Sequence, residues 1–473
     1  MNAYGQSIRD VAIIGYGPVG AAMALALAKN GLLVTIIERT GAPYGLPRAV
    51  QIDDEVMRLF RVLGVDEAIL ASCHVNPGTK FVAPDGDVLI DWSRPTEETP
   101  LGWNASYRFH QPALEATLRE RIAESPWIET RLMADAVQMG PDDAGVTIAL
   151  AGGETIRARW AIGCDGAGSE TRARIGAHWE DLGFRERWLV LDLIVDEDAP
   201  DYGRHTLQIC DPRQPATYVC GVGQRRRIEF RIGDQDEAAA KDGAWRRLAP
   251  WFQRDHAKIE RAAVYEFRSC IADHWRRGRV FLAGDAAHLT PPFMGQGLCA
   301  GFRDVANLAW KIAAVSQGAD EALLDTYQTE RAAHVREYID MAVAMGRFIN
   351  QTGAEALAGR AVSGDGDAAK LGMIRPALGS GLGARDGVCG RLAPHPRLST
   401  GKRLEDAQGG RFAILTNGDF EDESAVIADS AFAPWLSEID AKAALVRPDG
   451  YVLAIGDGGE ALSELAPKLS VTT

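Results

Sequence analysis

Between Val11 and Arg39 the sequence leaves little freedom of fold. The apolar run Val11–Ile14 ends in Gly15-Tyr16-Gly17-Pro18-Val19-Gly20, an Ala/Leu-rich helical stretch follows to about Lys29, and a second apolar run, Leu33–Ile37, ends in Glu38-Arg39. This is the pattern of a βαβ unit that binds a dinucleotide. Its glycines permit a tight turn, close approach of backbone to a pyrophosphate, and close packing of helix on strand, while Glu38 is placed to bind ribose hydroxyls. A bare G-x-G-x-x-G says little. The strand before it, the helix after it and the acid at the next strand end make it specific.

A second stretch, Arg279 to Ala309, completes a cofactor cradle. Val280–Ala283 reads as a buried strand ending at Gly284 and Asp285. The chain then turns through Pro291 and Pro292, passes Gly295 and Gly297, and enters a periodic apolar helix containing Leu298 and Cys299. Asp285 can accept hydrogen bonds from a polyol, and the helix start directs unpaired N–H groups and the positive end of its dipole at whatever lies before it. A reduced flavin, anionic on its pyrimidine ring, would suit that position. His288, within the same motif, is expected to be a structural hydrogen-bonding residue.

A third strand-end signal follows Thr155–Ile162, in Gly163-Cys164-Asp165-Gly166-Ala167-Gly168-Ser169. Arg48 lies beside the first dinucleotide signal. Gln111 precedes a helix that begins near Pro112, so both can face a phosphate. Five strand-like runs between Trp188 and Phe267 suggest the sheet of a second domain inserted into the first. Alternation places Gln208 and Cys210 on one face of their strand, and Tyr218 and Cys220 on one face of theirs, as candidates for a pocket wall.

Composition narrows the class. Lys+Arg 51 against Asp+Glu 65 gives a net charge of −14, a poor match to nucleic acid. No apolar run reaches the roughly 20 residues of a membrane span, and no basic-then-apolar leader opens the chain, so a cytoplasmic protein is expected. The seven cysteines are widely spaced with no C-x-x-C, against a disulfide framework, a zinc ribbon and a redox dithiol; no metal site is expected.

Taken together, GYGPVG, CDGAGS and GDAAHLTPPFMGQGL, in this order, resemble the single-component flavoprotein aromatic hydroxylases with the para-hydroxybenzoate hydroxylase fold. LPRAVQIDDE, RFHQPALEATLR, DLGFRERWLV and LVRPDGYVLA look like the 3-(3-hydroxyphenyl)propionate hydroxylase branch. The resemblance implies an α/β fold: a Rossmann-like FAD-binding domain (1–78, 105–180 and 268–350), an inserted β-sheet substrate domain (79–104 and 181–267), a linker (351–387) expected to be loop-like, and a small C-terminal thioredoxin-like domain (388–473). It assigns FAD to Gly15, Gly17, Pro18, Val19, Gly20, Glu38, Arg39, Arg48, Gln111, Val137, Asp165, Asp285, Gly295, Gly297, Leu298 and Cys299. Asp165 would serve nicotinamide-cofactor engagement as well.

The implied reaction takes hydride from NADH or NADPH to FAD, adds O₂ through a flavin C4a-hydroperoxide, and hydroxylates a small aromatic substrate, a phenol of phenylpropanoid type. The flavin performs the chemistry. No side chain is marked as catalytic beyond Pro292, which with Pro291 would shape the substrate–flavin junction. The alternatives are hydroxylation of another phenol or heteroaromatic, and a non-hydroxylating FAD-binding redox module. A flavin disulfide reductase would need the missing dithiol, and a flavin halogenase the absent W-x-W-x-I-P motif. The resemblance is compatible with a homodimer.

Overall fold

The computed structural model describes residues 8–43, 45–363, 369–370, 372–383, 387–418 and 426–456. Five parallel strands form the centre of the first sheet, in the order Val280–Leu282, Thr155–Gly163, Arg9–Ile14, Val34–Glu38 and Ile128–Leu132. Val11 to Ile14 are buried, as expected of a central parallel strand covered on both faces. The helix Pro18–Lys29 is buried from Gly20 to Ala28, which explains its apolar character all round. It packs against the helices Gly297–Ser316 and Gln111–Ala123. At its closest approach Gly301 leaves room for Val19, because a Cβ there would lie 2.6 Å from the Val19 methyl.

The second sheet has nine strands, and the runs read from sequence between Trp188 and Phe267 lie in it. Two long antiparallel strands, Trp179–Val195 and Ala257–Ala272, pair along most of their length within it. Gly78–Val82 and Val88–Ser93 join the same sheet. At its far edge sits His288–Leu289, paired with Cys270 and Ile271. The stretch that supplies Asp285 thus also supplies a strand of the substrate-side sheet, which fixes one sheet against the other.

A helix runs from Thr326 to Ser363, so the loop-like reading of 351–387 is corrected for its first part. The reason is local propensity: Ala, Leu, Glu and Arg predominate there, and each of its isolated glycines costs only about 1 kcal/mol against alanine. The C-terminal region forms a mixed four-stranded sheet, ordered Val426–Ala428, Ala413–Thr416, Ala443–Val446 and Val452–Gly456. Its last two strands form a hairpin around Pro448-Asp449-Gly450, where Gly450 adopts a φ of 88°. Residues 457–473 of the expected third domain lie outside the described residues. Among the described residues no helix is long and apolar enough to cross a membrane.

Candidate active site

The carboxyl ends of four parallel strands open into one cavity of about 810 Å³. Ile14 and Gly15, Ile37 and Glu38, Cys164 and Asp165, and Ala283 and Asp285 all line it. Ligands of open α/β sheets bind at such ends, and the volume lies in the upper part of the range for small-molecule sites. The cavity continues to the second sheet, where Gln208, Thr217, Phe267 and the turn Pro292-Phe293-Met294 form its inner end.

At the outer end, Gly15 has a φ of 104°, and a Cβ there would lie 2.5 Å from the Cys164 carbonyl oxygen. Gly20 does not line the cavity. Its role is packing, because a Cβ would lie 2.2 Å from the Gly15 oxygen. Gly17 caps the helix without a side chain, and Pro18 begins it, so the first-turn N–H groups face the cavity without a competing side-chain acceptor. Glu38 accepts hydrogen bonds from the N–H groups of Tyr16 and Thr40, both at 2.8 Å. Partial burial works to raise its carboxyl, but these bonds outweigh it and hold the group below the usual carboxylate range. Arg39 and Arg48 line the same region. Arg119 lies 3.7 Å from the centre of the Tyr16 ring and donates to the Tyr16 carbonyl at 2.7 Å.

Gln111 has a more specific position than a helix start alone would give. Its Oε1 accepts from the N–H groups of Arg48 and Ala49, at 3.0 and 2.8 Å, and its Nε2 donates to Glu115. It therefore sets the path of the Arg48 loop along the cavity wall.

Asp285 opens into the cavity, and among the described residues its carboxylate makes no hydrogen bond or ion pair. The surrounding protein desolvates it and pushes its carboxyl above the usual range, against the pull of His288 and Arg48. An acceptor of this kind fits the hydroxyls of a polyol chain. Behind it, Asp304 accepts from the Gly284 N–H at 2.9 Å, contacts His288 Nε2 at 2.7 Å and accepts from Arg331 Nε at 2.9 Å. His288 is 1% exposed and faces this buried carboxylate, in keeping with a structural role.

The helix Gly297–Ser316 begins at the inner end without a side-chain cap. Gly295, Gly297 and Leu298 line the cavity, so its N-terminal N–H groups are available to an anionic ring. Cys299 does not line it, and its thiol turns toward the Gln51 and Gly295 carbonyls, 3.9 Å from each. Arg303, bonded to Gln296, Asp53 and Glu55, braces this turn.

Several expected positions are corrected. Val137 is 49% exposed and outside the cavity, whereas its strand neighbour Ala136 lines it, because successive strand residues face opposite ways; Ala134 and Asp135, just before that strand, line it as well. Asp165 itself lines the cavity, with one oxygen engaged by Ser169 Oγ at 2.5 Å and the other by Thr171 N and Oγ1 at 2.9 Å. Of the pocket-wall candidates, Gln208 and Pro292 line the cavity, but Cys210, Tyr218 and Cys220 do not. Tyr218 and Cys220 share a face, as alternation requires, but that face packs on the far side of the sheet, where Tyr218 stacks on Trp251 at 5.9 Å. Thr217 and Val219 face the cavity instead. Cys210 lies past the end of its strand, buried in the main core.

Sequence reasoning missed Gln51, Arg108, Thr206, Arg227 and Arg261, all on the cavity wall. Arg227 and Arg261 each donate to Asp192 at 2.7 Å, and Arg227 also holds the Pro47 and Arg48 carbonyls. The one local signal is Asp192 in the apolar run Trp188–Val195; Arg227 and Arg261 stand in strands that carry several other charges and read like exposed ones.

Comparison with known proteins agrees with this geometry. Residues 9–342 match the family model described as FAD binding domain. A protein of Rhodococcus jostii (strain RHA1), described as a probable NADH-specific resorcinol 4-hydroxylase, is 35% identical over 98% of this chain and 95% of its own length. A 3-(3-hydroxy-phenyl)propionate/3-hydroxycinnamic acid hydroxylase of Mycobacterium sp. (strain JLS) is 36% identical over 72% of this chain, which spans 61% of that protein. Among solved structures, p-nitrophenol 4-monooxygenase from Pseudomonas putida DLL-E4 superposes with a TM-score of 0.69 at 25% identity, covering 74% of this chain and 92% of that one. Aklavinone-11 hydroxylase, solved with FAD and aklavinone, has the same fold, with a TM-score of 0.79 at 23% identity, covering 98% and 99%. From the strand ends that frame the cavity and from these likenesses, the chain belongs to the FAD-binding domain family and, within it, to the flavoprotein aromatic hydroxylases.

Proposed function

We propose that this enzyme hydroxylates a phenol carrying a second oxygen-bearing group meta to the reacting hydroxyl, with NADH as electron donor and O₂ as co-substrate. The observation that carries the reading is the single cavity that joins the dinucleotide cradle to the inner face of the second sheet. Two relatives support the substrate class: one is named for resorcinol and the other for 3-(3-hydroxyphenyl)propionate, and both compounds are meta-substituted phenols. The first is named as NADH-specific, which supports the choice of donor. An acidic chain with seven free cysteines suits a cytoplasmic enzyme.

FAD supplies hydride acceptance and O₂ activation when bound. Gly15, Gly17 and Glu38 would hold its ADP half, Arg48 and Gln111 its pyrophosphate region, Asp285 its ribityl chain, and the Gly297–Leu298 backbone its ring. The protein's own contribution is position, charge and exclusion of water. Phe184, Trp188, Phe267 and Phe293 form an aromatic cluster with ring centroids 5.6 to 6.2 Å apart, of which Phe267 and Phe293 give the inner end an apolar wall. The turn that carries Pro292 lines the cavity and would shape the junction between ring and substrate, where a backbone carbonyl would accept a hydrogen bond from the phenol hydroxyl.

The test is a panel of phenols with the purified yellow protein, following NADH and NADPH loss together with product mass. The reading expects meta-substituted phenols to couple NADH loss to a product one oxygen heavier. FAD binding with no phenol-stimulated oxidation of either nucleotide would favour a non-hydroxylating redox module.

A further inference from the structure

Arg108 is 2% exposed, lines the inner part of the cavity, and is not explained by anything assigned above. It stands in the short strand Ser106–Arg108, paired with Gln51–Asp53. Its Nη1 donates to Gln51 Oε1 at 3.2 Å and its Nη2 to Thr206 Oγ1, while its Nε has no partner. Gln51 in turn donates to the Met294 carbonyl at 3.2 Å, so this guanidinium lies one side chain from the turn at the ring end of the cavity.

Three other arginines of the wall have a counter-charge close by. Arg227 and Arg261 share Asp192, and Arg174 pairs with Glu170. Among the described residues no carboxylate pairs with Arg108. A buried guanidinium held only by neutral groups is costly to the folded state, and an anion entering the cavity relieves that cost. Burial, then the nearby Arg94, pushes its pKa down to about 9, the mark of a cation in want of a partner. The same positive field, after burial itself, keeps His74 neutral, down to about 4.

We infer that Arg108 is a specificity-determining residue that receives an anionic oxygen on the substrate's second ring substituent. This rests on the reading that the inner cavity takes the phenol. The shared chemistry is an anionic oxygen, which can come from a carboxylate or from an ionised second hydroxyl.

The test measures dissociation constants on the FAD-loaded enzyme by perturbation of the flavin spectrum, using 3-(3-hydroxyphenyl)propionate, resorcinol and unsubstituted phenol, with FAD content as a control for folding. Arg108→Gln is expected to weaken one or both substituted ligands by about tenfold or more while phenol changes by less than about threefold. Arg108→Lys, which keeps the charge but loses the fork, is expected to fall between. A loss confined to the propionate identifies a carboxylate site, and one that includes resorcinol identifies a second hydroxyl. Equal losses for all three ligands, or none, would overturn the assignment of Arg108 alone. Failure of the wild-type enzyme to bind any of the three would overturn the phenol reading as well. If Arg108→Gln loses its FAD, Arg108→Lys decides the matter by the same comparison.

Discussion

Arg447 donates to both carboxylate oxygens of Glu330, each at 2.9 Å, and so ties the C-terminal hairpin to the long helix that follows the cofactor segment. Lys311 and Asn307 reach the same carboxylate at 2.7 and 2.9 Å, and Asp449 pairs with Arg447 from the other side. All four charged side chains are at most 1% exposed. Removing one member leaves buried charge uncompensated, so Arg447→Met is expected to lower unfolding stability by about 3–5 kcal/mol. Urea denaturation of the holoenzyme checks this, and a loss below about 1 kcal/mol would show that the network is not a tie of this kind.

The fold should weaken in mild acid. His334 and His395 are each 1% exposed, and burial holds both well below the ordinary imidazole range, with Arg331 acting further on His334 and Arg58 on His395. In the unfolded chain they protonate near about 6.5. Below that pH the unfolded state binds more protons than the folded one, so stability present above it is lost as pH falls toward the folded values. The Tm is expected to be lower at pH 5.5 than at pH 7.5, and His334→Gln should flatten the dependence.

Gly15→Ala tests the outer end of the cavity. The positive φ and the 2.5 Å approach to the Cys164 oxygen leave no room for a methyl group. The variant is expected to fold, with a far-UV spectrum like the wild type, but to retain little FAD after gel filtration.

Asp285→Ala tests the middle of the cavity. Because that carboxylate has no hydrogen-bond partner among the described residues, its removal leaves no orphaned donor behind. Loss of FAD retention is the expected result, with thermal stability of the apoprotein preserved or raised. Full flavin occupancy with normal turnover would remove Asp285 from the site.

The parts of the site legible in the sequence were those where chemistry and backbone geometry coincide. Gly15 and Asp285 follow strands whose apolar runs stop at them, so their place at a sheet edge could be read directly. The face of Ala216–Cys220 could not be read, because all five residues are buried and neither face carries a polar signature. Only the packing of Trp251 against Tyr218 decides that Thr217 and Val219 look inward. Arg108 was illegible for a different reason: its partners Gln51 and Thr206 lie 57 and 98 residues away in the chain, and nothing local distinguishes it from a solvated arginine.

The most direct measurement is turnover of the purified enzyme under ¹⁸O₂ with NADH and a meta-substituted phenol. One ¹⁸O atom in the product for each NADH consumed is the predicted result. NADH consumption matched by hydrogen peroxide across the phenol panel, with no oxygen gained by any ring, would contradict it.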